Sequence, residues 1–322
     1  ASQSTNDAYP TAVKLATYFG IQNLLAALAS LRGAFEAKAE AFADILKIGR
    51  TQLQDAVPMT LGQEFSGWAR MVQRDRDMLV QGVDFLRDLA MGGTAVGTGI
   101  NCPKGYDVRF AEIVSQLTGT TFHTAPNKFH SLTSKDELVV VHGMLKALAC
   151  DLMKIANDVR WLSSGPRCGI GEIAIPENEP GSSIMPGKVN PVIAEVLNQV
   201  CYQVCGNDMT ITFAVENGQF ELNVMEPVLA YNMFNNMCYL KNAVNTFVDK
   251  LLVDLQVDRE QCKYWLDRSV GIVTALLPHV GYENASALAK EAYSTGRSIR
   301  EIILEKACLR KKKLTIFSPR LK

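Results

Sequence analysis

The stretch LVVVHGMLKALACDLMKIANDVRWL, residues 138–162, decides the fold. Leu138, Val141, Leu145, Leu148, Leu152, Ile155, Val159 and Leu162 recur at alternating spacings of three and four, so they line one side of an α-helix as a coiled-coil seam. A second seam runs Ile21, Leu24, Leu28, Leu31 and Phe35, then Lys38 out of pattern, then Phe42 and Ile45. A third runs Leu229, Met233, Asn236, Leu240, Ala243 and Phe247. At about 1.5 Å per residue these helices reach about 40 Å or more, too long for one small partner to cover. Val139, Val140, Met144 and Ala149 add apolar surface beside the first seam, and a helix apolar around much of its girth wants neighbours on several sides. The expectation is an all-α, oligomeric bundle of long helices.

Prolines set the limits of these elements, because an interior proline costs a helix about 3 kcal/mol. Long proline-free intervals separate Pro10 from Pro58, Pro58 from Pro103, Pro126 from Pro166, Pro191 from Pro227 and Pro227 from Pro278. Between Pro103 and Pro126, Gly105, Gly119 and the β-branched run near Thr118–Thr124 predict a connector with one brief helix. Beyond Leu252, Pro278, Gly281 and Gly296 cut the pattern into short helices. The expected division is a central bundle over 1–252 and a small C-terminal helical domain over 253–322. The tail from Arg310 to Lys322, basic and without an acid, reads as a solvated terminus.

Composition narrows the function classes. With 322 residues, 48% of them hydrophobic, the chain can bury a sizeable core without cross-links. Its 33 basic and 33 acidic side chains cancel, which gives no overall pull toward nucleic acid or anionic lipid. No segment approaches the run of about 20 apolar residues that spans a bilayer, and no basic-then-apolar leader precedes the first helix. Neither a nucleic-acid nor a membrane partner is expected. The cysteines at 102, 150, 168, 201, 205, 238, 262 and 308 form no CxxC pair, which fits a reducing, cytoplasmic setting. Cys201 and Cys205 share a helix face but lack further zinc ligands nearby, so burial is their expected role. His123, His130, His142 and His279 show no ligand spacing. No metal or cofactor is called for.

Three polar blocks interrupt the seams at helix ends. The first, Ser2-Gln3-Ser4-Thr5-Asn6-Asp7, precedes a long helix, where hydroxyls, an amide and the helix N-terminus can cap or hold an anion. The second, GRTQLQDAVPMTLGQE at 49–64, reads as a helix–helix connection with Thr60 as a cap. The third, PGSSIMPGKVNP at 180–191, cannot be helical and has backbone N–H groups to spare for an anion. A lysine near its serine pair would favour a deprotonated hydroxyl by direct charge interaction. The run Gly92-Gly93-Thr94-Ala95-Val96-Gly97-Thr98-Gly99 reads as helix termination or close packing, since it follows no strand and has no acidic ribose partner.

Together the three blocks resemble the signature regions of the fumarase/aspartase superfamily, and GSSIMPGKVNP is the most specific of them. The resemblance extends to about Glu305. It implies homotetramers whose long helices share one bundle, with each active site assembled from three subunits around a small dicarboxylate. It also implies an N-terminal domain ahead of QSTND that has no counterpart here. With that domain absent, and with the polar motif starting at once after Ala1, a fragment or processed chain is the expectation.

Within the superfamily, QSTNDAYPTA at 3–12, GRTQLQDAVPMTLGQE and LNVMEP at 222–227 are similar to the aspartate ammonia-lyase branch. APNKF at 125–129, IANDVRW at 155–161 and ENEPGSS at 177–183 are more like class II fumarases. Fumarases usually carry Ser where Thr5 stands and His where Gln52 stands. Weighing those two positions above the scaffold predicts a carbon–nitrogen lyase that eliminates ammonia from L-aspartate to give fumarate. The alternatives are a hydratase interconverting L-malate and fumarate, or a non-catalytic helical scaffold.

The resemblance also implies residue roles. Ser182 would be the base that removes the Cβ proton, its alkoxide stabilised by Lys188 and loop N–H groups. Ser4, Thr5 and Ser183 would donate to the resulting aci-carboxylate, each such donor being worth about 3 kcal/mol. Thr51, Lys188 and Asn190 would hold the α-carboxylate, and Asn6 would face the amine. Glu195, which pairs with the histidine of other members, would support the site, and Gln52 would only bind.

Overall fold

The computed structural model describes residues 3–306; the basic tail lies outside them. In chain order it contains α1 (Thr5–Ala41), β1 (Leu46–Thr51), β2 (Gln54–Thr60), α2 (Leu61–Gly82), β3 (Asp88–Leu89), α3 (Tyr106–Thr118), β4 (His123–Thr124), α4 (Lys128–Thr133) and α5 (Asp136–Leu162). There follow β5 (Ile173–Ala174), α6 (Val192–Glu216), α7 (Glu226–Phe247), β6 (Gln256–Val257), α8 (Arg259–Arg268), α9 (Ile272–Val280), α10 (Tyr282–Thr295) and α11 (Ile299–Glu305). The architecture is mostly helical, and the strands form three two-stranded pieces.

Two compact units can be distinguished. One takes the chain up to Arg32, then Arg70–Asp158 and Val192–Leu251; the other takes Gly33–Ala69, Val159–Pro191 and the chain from Leu252. The second unit therefore includes, besides the C-terminal short helices, two earlier segments that a division at 252/253 assigns to the bundle.

In the first unit the seams are the core. Ile21 to Leu31 on α1, Leu138 to Ile155 on α5, and Leu229 to Phe247 on α7 are all buried at the seam positions. Gly20 lets α1 approach α7, since a Cβ there would lie 2.7 Å from Met237 Cε. Asn236 occupies a seam position because it has partners: its amide Nδ2 meets His142 Nε2 at 2.7 Å, and Asn207 Nδ2 donates to its Oδ1 at 2.9 Å. The other His142 nitrogen, Nδ1, meets Asp208 Oδ1 at 2.8 Å. With Asn236 donating to Nε2, the ring carries its proton on Nδ1, and burial holds its pKa below the usual histidine value. Where α5 and α7 start, buried ion pairs Lys14–Glu137 (2.5 Å) and Lys135–Glu226 (2.8 Å) neutralise one another. Burial raises both carboxyl pKa values and lowers that of Lys135, with each partner opposing the shift. Cys201 is buried, which pushes its thiol up to about 12, and Cys205 is half-buried.

In the second unit the short helices close their own core. Leu266, Ile272, Leu276, Leu288, Ile299 and Ile302 pack with Ile48 of β1, and α11 starts on a Ser298–Glu301 capping box. Lys38, out of the seam pattern, donates to the carbonyls of Val253 (3.1 Å) and Leu255 (2.8 Å). The brief helix expected between Pro103 and Pro126 is α3, bounded by Gly105 and Gly119 at φ +80° and +68°.

Three expectations need correction. Block two is an antiparallel hairpin, β1 with β2, although Thr60 does cap α2: the Gln63 N–H donates to its Oγ1 at 3.1 Å. Prolines do not mark every helix end, since Pro10 lies inside α1 and Pro278 inside α9. An 18-residue window of α1 has mean hydropathy 1.2, long and apolar enough by those measures alone to cross a bilayer. Half of that window is buried in the protein, because α1 presents its seam to the core.

Candidate active site

The first polar block starts α1 rather than preceding it. Ser4 is the cap: its Oγ accepts the Asn6 N–H at 3.2 Å. Asp7, fully buried, holds the block in place. Its Oδ1 accepts the Ser4 N–H at 3.1 Å, and its Oδ2 accepts those of Gly92 (3.0 Å) and Thr94 (2.9 Å). The Asn6 amide donates to the Ala95 carbonyl at 2.8 Å. The glycine run is thus a cradle for Asp7 that fixes Ser4, Thr5 and Asn6, with the Thr5 side chain exposed. Glycine is required at 92, where φ is +94° and a Cβ would lie 2.5 Å from Asp107 Cβ. The sequence reading took Asp7 for one more capping residue; three separated N–H partners are not visible in spacing.

Asp7→Asn keeps the shape but turns an amide NH₂ toward backbone donors. We expect a loss of about 1–2 kcal/mol in urea unfolding, with faster amide exchange at Gly92 and Thr94. Unchanged exchange there would remove the cradle role.

The second block presents Thr51 at the end of β1 and Gln52 in the turn, both exposed. Gln52 and Leu53 have φ +54° and +61°, the paired left-handed residues of a type I′ hairpin turn. Neither is the Asn or Gly that usually signals such a turn, so the hairpin was not legible. Non-glycine residues held there cost about 1–3 kcal/mol each and cluster at functional sites.

The third block is a closed loop. The Gly181 N–H donates to the Lys188 carbonyl at 3.1 Å, and the Asn190 amide donates to the Gly181 carbonyl at 2.8 Å. A Cβ on Gly181 would lie 2.0 Å from the Lys188 oxygen, so only glycine fits. Within the loop the half-buried Ser182 Oγ accepts the N–H groups of Ile184 (3.3 Å) and Met185 (3.2 Å). Two donors on one hydroxyl oxygen favour its deprotonated form. The Ser183 and Lys188 side chains are exposed; Lys188 gives the loop its carbonyl and turns its side chain to solvent. Glu195 lies in the first turn of α6, where the helix dipole favours a carboxylate.

The structure therefore puts the expected residues in four places. Ser4, Thr5 and Asn6, with Glu195 elsewhere, belong to the first unit; Thr51 and Gln52 on the hairpin, and Ser182, Ser183, Lys188 and Asn190 on the loop, belong to the second.

Comparison with known proteins gives the context. Residues 1–206 match the family described as Lyase, and residues 272–319 match Fumarase C C-terminus. The chain is 53% identical over 305 residues to a class II fumarate hydratase of Bacillus subtilis, covering 94% of this chain and 66% of that protein. It is 49% identical over 319 residues to an aspartate ammonia-lyase of Helicobacter pylori, covering 99% of this chain and 68% of the relative. The crystal structure of a class II fumarase from Schistosoma mansoni superposes with a TM-score of 0.92 at 39% identity, covering 99% of this chain and 70% of that one. The chain thus spans about two thirds of the length of the curated relatives it matches.

These findings overturn the aspartate ammonia-lyase expectation, because class II fumarate hydratases stand above the aspartate ammonia-lyase in similarity. The expectation rested on weighing Thr5 and Gln52, two exposed side chains, above the scaffold. The scaffold matches APNKF, IANDVRW and ENEPGSS carried the better signal. Matched over residues 1–206 and 272–319 by family models and nearly end to end by relatives at about half identity, this chain belongs to the fumarase/aspartase superfamily of lyases.

Proposed function

We propose that this chain carries out hydratase chemistry, the reversible addition of water to fumarate to give L-malate. The observation that carries this reading is the 53% identity to a class II fumarate hydratase across 94% of the chain. The Ser182 geometry supports it, since its Oγ sits under two backbone donors. In the dehydration direction the Ser182 alkoxide takes the proton from C3 of malate. The electron pair moves into the adjacent carboxylate, giving an aci-carboxylate that the hydroxyls of Ser4, Thr5 and Ser183 stabilise. The C2–O bond then breaks, and the hydroxide leaves as water after taking up a proton. Thr51, Lys188 and Asn190 hold the other carboxylate, and the Asn6 amide faces the C2 oxygen. Gln52 binds but cannot accept a proton as an imidazole does, so no relay to Glu195 operates and protons exchange through water.

The reading includes a homotetramer with shared sites. Its support is the apolar surface on two helices of the first unit: Tyr202, Met209 and Phe213 on α6 and Tyr231 on α7 are each more than half exposed.

Ultraviolet absorbance of fumarate formed from L-malate and from L-aspartate tests the reaction. Fumarate from malate alone is expected. Formation from aspartate alone, or from neither substrate, would rule out the hydratase reading.

A further inference from the structure

The hairpin that bears Thr51 and Gln52 is tied to the rest of the second unit through one buried carboxylate. Glu172, just ahead of β5, is completely buried. Its Oε1 accepts from Arg50 Nη2 at 2.9 Å, and its Oε2 lies 3.1 Å from Lys47 Nζ. Lys47, 2% exposed, also meets Glu64 Oε2 at 2.8 Å. In a regular strand, residues 47 and 50 point to opposite faces. Here the register shifts between Ile48 and Arg50, and a bulge of this kind re-aims a side chain, so both cations of β1 reach the same carboxylate.

Glu172 is itself fixed at both backbone ends. Its N–H donates to the Leu162 carbonyl at 2.8 Å, and its carbonyl accepts from the Asp258 N–H at 3.0 Å. Burial pushes the Cys262 thiol up to about 12, so it stays protonated and donates to that carbonyl at 3.7 Å. A buried group of four charges is a poor way to gain stability compared with apolar packing. What it supplies is orientation: Arg50 adjoins Thr51, and beyond it the two left-handed residues of the turn persist only if their surroundings over-determine them.

We infer that Glu172 is a positioning residue, which through Arg50 and Lys47 sets where the hairpin holds Thr51 and Gln52 against the substrate carboxylate; this rests on the dicarboxylate reading above. Glu172 touches no reacting atom in this scheme. It acts through β1, and its loss leaves the buried Lys47 with Glu64 alone and takes away the carboxylate that Arg50 meets.

The test is Glu172→Gln in the full chain, read by kcat and KM for L-malate and by amide hydrogen exchange at residues 51–54. The expected result is a fall of about 10- to 100-fold in kcat/KM, together with faster exchange at the turn. Leu148→Ala, in the α5 seam of the first unit, serves as the control: it lowers stability and leaves KM and the 51–54 exchange unchanged. If Glu172→Gln does not fold, Arg50→Lys keeps both charges, removes the fork and gives a smaller change in the same direction. A folded Glu172→Gln protein with unaltered exchange at 51–54 would overturn the inference, as would a Leu148→Ala protein that reproduces both changes. An inactive unmutated chain would instead count against the hydratase reading, and the exchange measurement would still decide the role of Glu172.

Discussion

Ser182→Ala is expected to lower kcat for malate dehydration by about 10²- to 10⁴-fold, the range associated with losing a positioned general base. The loop should survive the change. Its closing bonds, Gly181 N–H to the Lys188 carbonyl and Asn190 Nδ2 to the Gly181 carbonyl, do not use the serine side chain. The groups proposed to bind the two carboxylates also remain, so KM should move little. Loss of turnover with retained binding is the signature of an interaction used mainly in the transition state. What disappears is the oxygen that sits under the Ile184 and Met185 N–H groups, and methyl cannot take a proton there. A kcat within a few-fold of the parent would remove Ser182 as the base. A large rise in KM with kcat unchanged would reassign it to binding.

The second large effect concerns stability. Asp75 on α2 is 2% exposed, and its Oδ2 has no hydrogen-bond partner among the described residues. Burial raises its pKa to about 7, and the nearby Asp151 carboxylate adds to the rise. The folded pKa therefore lies above the unfolded value of about 4. Between those two values the folded state holds a proton that the unfolded chain has lost, so this contribution to stability is complete below about pH 4 and is lost as pH rises through about 7. Asp75→Asn supplies a permanently neutral side chain. The variant should match the parent in acid and exceed it at pH 8 by between about 2 and 4 kcal/mol, after allowing for screening. Urea unfolding at several pH values checks this, and parallel pH profiles for the two proteins would show that Asp75 is ionised at little cost.

How far the sequence led depends on the range of the interactions. The three seams were legible because each repeats one local rule over many turns, and all eight positions from Leu138 to Leu162 are buried. Loop 180–191 was legible as non-helical from its prolines and glycines. The hairpin was not, since Gln52 and Leu53 adopt a conformation that their identities do not announce. Asp7 was under-read for a different reason: its partners Gly92 and Thr94 lie 85 and 87 residues away. The same holds for Glu172, whose partner Arg50 lies 122 residues back. The branch within the superfamily was misjudged because two solvent-facing side chains outweighed matches spread through the scaffold.

The contacts of His142 and Asn236 bear on how this bundle chooses its alignment. Leucine-rich seams tolerate sliding, because one apolar knob fills a neighbour's hole about as well as another. Moving α7 by a single residue would swing Asn236 by about 100° around its axis, stranding an imidazole nitrogen and an amide in a dry interior at a cost of about 1–3 kcal/mol apiece. The pair works like a key cut for one lock position: it adds little attraction, but it makes every mis-threaded packing of these helices expensive.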